Sequence, residues 1–152
     1  MFRTLLVATA LAGAGLGASP MAFAEKPAIY HGLFDDLAVG GFDPVAYFST
    51  GKPVAGLKAF EYKYMDATWR FATAENLATF KADSAKYAPQ FGGHCAWAAA
   101  QGYTAKGDPK FWKIVDGKLY LNYNTDIQKK WEKDVPGLIA KGNSNWPKVL
   151  GK

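Results

Sequence analysis

Cysteine is nearly missing: the 152 residues contain one, Cys95. A single thiol excludes an intrachain disulfide, a CxxC redox pair, and any zinc finger or iron–sulfur site built from one chain's thiolates. Histidine is almost as scarce, with only His31 and His94. After Arg3 the one remaining arginine is Arg70, so lysine carries the basic charge. Without arginine forks there is little means of bidentate readout of phosphates or base edges, and no nucleic-acid partner is expected. There is no serine-centred elbow, phosphate loop or HExxH. No uncharged apolar run reaches the roughly 20 residues that cross a bilayer. No internal repeat, low-complexity tract or linker is visible.

What is present is globular in balance: 49% hydrophobic, 20% charged and 15% aromatic residues. Residues 1–24 read as a secretory signal peptide. Arg3 gives the basic start, Leu5 to Gly17 the short apolar stretch, and Ala22-Phe23-Ala24 the small–x–small cleavage pattern. Cleavage after Ala24 would leave a chain of net charge about +4, exported to the periplasm or the medium and without a transmembrane helix. Residues 25–40 read as an N-terminal arm, and residues 41–152 as one domain with a C-terminal helical extension. With no disulfides to staple it, the domain must rely on its aromatic core.

Val45-Ala46-Tyr47-Phe48 reads as a short strand after Asp43-Pro44. Phe60 to Tyr64 and Thr68 to Ala72 alternate apolar with polar and flank the Met65-Asp66-Ala67 turn, which predicts an antiparallel hairpin with Trp69 and Phe71 inward. Thr73 is placed to cap a helix carrying Leu77 and Phe80, and a second helical turn covers Ala85 to Tyr87. Ala96 to Gln101 is helix-prone and ends at Gly102. Asp116-Gly117 between alternating runs predicts a second hairpin. Asn124 or Thr125 then caps a helix with Ile127, Trp131 and Val135, interrupted at Pro136-Gly137, and a last helix runs from Leu138 towards Trp146. The expected class is α+β: a small antiparallel sheet of two hairpins packed with several short helices in one domain.

The series Gly41-Phe42-Asp43-Pro44-Val45-Ala46-Tyr47-Phe48, Thr68-Trp69-Arg70-Phe71-Ala72 and Gly92-Gly93-His94-Cys95-Ala96 resembles the secreted branch of the YHS-domain family, which includes selenoproteins. Leu121-Asn122-Tyr123-Asn124 and Trp131 to Gly137 add to the likeness. The resemblance implies a small α+β module of the kind found beside metal-handling machinery. It also implies that a reactive chalcogen can occupy the Cys95 region. Metal-type members carry cysteines where this chain has Ala46, Ala72 and Leu77, so the thiolates of a family-style site are missing.

Two readings of Cys95 follow. In the first it is a functional thiol for redox chemistry or for capture of a soft metal such as copper. Gly92 and Gly93 would form an access loop, the start of the following helix would favour thiolate, and His94, Met65 and His31 would supply further ligands. A lone thiol would then cycle through a sulfenic acid or a mixed disulfide with another molecule. In the second, Cys95 is core, and the domain is a non-catalytic module for a protein partner or small ligand. Neighbouring residues diverge on a helix and on a strand, so His94 and Cys95 would converge only across an irregular turn. An enzyme ranks last because nucleophile–base pairs are scarce. Asp43 and Asp108, each before a proline, read as turn formers. The partner, protein or metal, and a homodimer are left open.

Overall fold

The structure, a computed structural model, describes residues 25–152, so the signal-peptide reading of residues 1–24 lies outside the described residues. Among them the architecture is α+β, with two separate two-stranded antiparallel sheets. Strand β1 (Leu57–Tyr64) pairs with β2 (Ala67–Phe71), and β3 (Asp108–Val115) pairs with β4 (Lys118–Asn122). Both hairpins turn tightly through two residues of positive φ, Met65 (52°) with Asp66 (59°) and Asp116 (50°) with Gly117 (72°). That backbone matches the right-handed twist of the strands it joins.

Each hairpin holds one helix by an aromatic side chain. Helix α2 (Ala74–Ala82) starts at Thr73, whose hydroxyl accepts from the Asn76 amide at 3.1 Å. It lays Phe80 against Trp69 and Phe71, with ring centroids 4.9 and 5.1 Å away. Helix α5 (Thr125–Glu132) starts at Asn124, which caps the Ile127 amide at 2.9 Å. Its Trp131 packs on Tyr120, 5.4 Å between centroids. Trp69, Phe71, Phe80 and Trp131 are fully buried, and losing any one to alanine would cost about 3–5 kcal/mol.

The halves of the chain repeat one order of elements. A left-handed turn, Val39-Gly40-Gly41, has its counterpart in Phe91-Gly92-Gly93, and all six residues have positive φ. The Phe42 amide donates to Val39 and the His94 amide to Phe91, each at 3.0 Å. A short helix follows, α1 (Ala46–Ser49) or α4 (Ala96–Gln101). Next comes a bridge, Phe42 to Ala55 or His94 to Lys106, and then a hairpin. The strand pairing slips at the same place in both, between Leu57 and Glu61 and between Asp108 and Trp112. Each hairpin leads into a capped helix, and then into a second helix, α3 (Ser84–Tyr87) or α6 (Val135–Asn145). Asp83 and Asp134 start those helices with nearly the same backbone, φ −152° and −151°, ψ 70° in both. The sequence reading of a chain without repeats is thus corrected at the level of structure.

Three further expectations change. Val45 to Phe48 is not a strand: the Asp43 carboxylate takes the Val45 and Ala46 amides at 2.8 and 3.2 Å and starts α1. Ile127, Trp131 and Val135 do not share a helix, because Asp134 caps the Gly137 amide and opens α6 with proline in its first turn. Residues 25–40 are part of the domain rather than a separate arm. Ile29, Ala38 and Val39 are buried, and the Tyr30 amide donates to the Gly92 carbonyl at 2.9 Å.

Candidate functional site

Cys95 lies between the second left-handed turn and α4. Its amide donates to the Ala105 carbonyl at 2.8 Å, and its side chain is 1% exposed. The thiol sits 3.5 Å from Asn122 Oδ1, which also accepts from the Trp97 amide at 3.0 Å. Asn122 is fully buried at the end of β4 and donates through Nδ2 to Gln128 Oε1 at 2.6 Å. Burial pushes the thiol's pKa up. Backbone N–H groups of Ala98, Tyr123 and Trp97 favour the anion but do not overcome that desolvation. The activation expected from the start of α4 is therefore outweighed, and at neutral pH Cys95 is a protonated thiol.

Cys95 is among the residues lining an open cavity of about 230 Å³, with Trp97, Tyr103, Tyr123 and Ile127 among its walls. Tyr103 and Tyr123 stand half exposed at its edges, and the Lys130 ammonium lies 5.7 Å from the Trp97 ring. The floor and walls are apolar, a surface suited to a small planar apolar molecule.

His94 is buried on other partners. Its Nε2–H donates to the Pro27 carbonyl at 2.9 Å, while Nδ1 has no partner among the described residues. Its ring meets Tyr30 and Trp146 at centroid distances of 5.4 and 5.6 Å. Burial lowers the imidazole's pKa, more than the Pro27 bond raises it, so His94 is neutral at pH 7. His31 holds the Gly32 and Asp35 carbonyls through Nδ1, at 3.0 and 3.1 Å. Met65 is half exposed at the tip of the first hairpin.

The structure does not gather these four residues in one cavity. Cys95 and His94 line different cavities; His31 shares one with His94 and another with Met65. Among the described residues no three of His, Cys, Asp and Glu are grouped as ligands for one ion. The access loop is corrected as well. Gly92 gives close approach, but to the chain's own N-terminal segment: a Cβ there would fall 1.6 Å from the Ala28 carbonyl oxygen. Asp43 forms a turn as expected, and does more, its second oxygen taking the Ala72 amide and Asn76 Nδ2 at 2.8 Å each.

Asn122, Trp97, Tyr103, Tyr123 and Ile127 were not singled out as site residues from the sequence. A buried amide ending an otherwise apolar strand was the one local signal, since such a group must find hydrogen-bond partners. No family model, curated protein or solved structure matches the chain.

Proposed function

We propose that this is an exported YHS-like module that binds a small planar apolar ligand in the cavity over Cys95, with no chemistry on that ligand. The observation that carries the reading is the aromatic-walled cavity floored by a protonated, buried thiol. A pocket of this kind binds by dispersion and exclusion of water. The sequence resemblance and the leader-like residues 1–24 support export and the YHS likeness.

Indole tests it. Nuclear magnetic resonance titration should give saturable shifts at Trp97, Tyr123 and Ala98, and Ile127→Trp, which fills the space, should abolish them. Absence of saturation in the folded protein would remove the proposal.

Thiol redox is the second reading, favoured by the three backbone N–H groups that face the sulfur. Rapid labelling of Cys95 by a disulfide reagent at neutral pH in the folded protein would select it. Labelling only after denaturation would exclude it.

A further inference from the structure

A larger cavity, of about 370 Å³, is lined by His94 and not by Cys95. Its walls are mainly apolar and aromatic, with Pro27, Tyr30, Leu33 and the buried His94 ring among them. Leu33 is 95% exposed, an apolar side chain at the rim with little of its surface covered.

Two lysines line this space, Lys26 and Lys106. Lys106 is shared with Asp108, 3.5 Å away. Lys26 has no carboxylate partner among the described residues, and residues 1–24 contain neither Asp nor Glu that could supply one. No carboxylate side chain lines the cavity. The space therefore offers one unshared positive charge beside apolar walls. A cationic ligand would be repelled by Lys26, and a dianionic phosphate would find no arginine fork.

We propose that this cavity is a binding site for a small organic carboxylate with an aromatic or branched apolar body. The carboxylate pairs with Lys26, and the body lies against Tyr30, Pro27 and Leu33. The site is distinct from the cavity lined by Cys95, with which it shares Ala105 and which takes an uncharged ligand.

Isothermal titration with phenylacetate, and with phenylacetamide as its neutral isostere, tests the assignment. Phenylacetate should bind saturably with one site per chain, more tightly than the amide, and less tightly as salt is raised. Lys26→Met should weaken phenylacetate roughly fivefold, the scale of an ion pair at a solvent-exposed ammonium, and leave the amide unchanged. Ile127→Trp, which blocks the other cavity, should change neither. No saturable phenylacetate binding, equal affinity for acid and amide, equal affinity in wild type and Lys26→Met, or loss of binding in Ile127→Trp would each overturn it.

Discussion

Cys95 stands in the second half of the chain where Asp43 stands in the first. Each follows a left-handed turn and precedes a short helix, and each donates its amide across the chain at 2.8 Å, Asp43 to Val54 and Cys95 to Ala105. The Asp43 carboxylate takes the amides of Val45, Ala46 and Ala72. The amides facing the Cys95 sulfur belong to their counterparts, Trp97, Ala98 and Tyr123. Asn76 reaches Asp43 with its carboxamide, whereas its counterpart, Ile127, lines the cavity over Cys95. One frame thus holds a carboxylate–carboxamide pair in one half, and a thiol beneath an open apolar space in the other.

Asp43→Ala should therefore be severe. It leaves the Val45, Ala46 and Ala72 amides and the Asn76 carboxamide without their acceptor, around a side chain that itself has no solvent exposure. Removing a buried charged acceptor of several donors costs about 3–5 kcal/mol. Urea unfolding should show that loss. Cys95→Ala, which removes only a weak thiol donor and its packing, should cost about 1–2 kcal/mol.

The raised pKa of Cys95 sets the sign of its alkaline behaviour. The folded state keeps the proton on sulfur to higher pH than the unfolded state does. Above the ordinary thiol range the unfolded chain binds fewer protons, so stability falls as pH rises from the unfolded pKa to the folded one. The contribution is fully present below that window. Urea midpoints at pH 7.5 and 10 should diverge more for wild type than for Cys95→Ala. A midpoint difference equal in the two proteins would show that the thiol is not desolvated.

His94 acts at the other end of the scale. Its folded pKa lies below the ordinary value of 6.5, because the ring is packed between Tyr30 and Trp146. The unfolded state takes up the proton first, so stability is retained above about pH 6.5 and declines as pH falls through that value towards the folded pKa. His94→Phe keeps an aromatic ring but cannot titrate. Its urea midpoint should fall less than that of wild type between pH 7.5 and 5, and an identical fall would assign the acid sensitivity elsewhere.

The hairpins were legible because their signals are local: alternation at Phe60 to Tyr64 and Lys118 to Tyr123, with an Asp-Gly turn in the second. The caps Thr73 and Asn124 were legible for the same reason. Helix α1 was not, since Val45 to Phe48 is apolar in a continuous run and the Asp43 side chain overrides its strand-like composition. The structural repeat escaped because few identities recur at constant separation, Gly56 with Gly107, Phe60 with Phe111 and Asp83 with Asp134 among them. Asn76 and Ile127, or Asp43 and Cys95, fill equivalent places with unlike chemistry. Of the candidate site, Cys95 and His94 were visible as residues. That neighbours point apart was legible too, but the cavity that His94 lines was not, because it depends on the path of the N-terminal segment across Gly92.

That path gives a sharp contrast between two glycines of similar backbone. Gly92 and Gly117 have φ of 61° and 72°, so alanine at either meets the left-handed penalty of about 1–2 kcal/mol. Gly117 has nothing within 4 Å of the position a Cβ would take, and Gly117→Ala should cost no more than that penalty. At Gly92 the same methyl would collide with the Ala28 backbone, which cannot move without disturbing the bond from the Tyr30 amide to the Gly92 carbonyl. Gly92→Ala should therefore lose about 3 kcal/mol or more, and amide exchange at Tyr30 should accelerate as the N-terminal segment lifts. Equal stability losses at the two positions would mean that the segment does not lie across Gly92, and the cavity bordered by Lys26 and His94 would lose one of its walls.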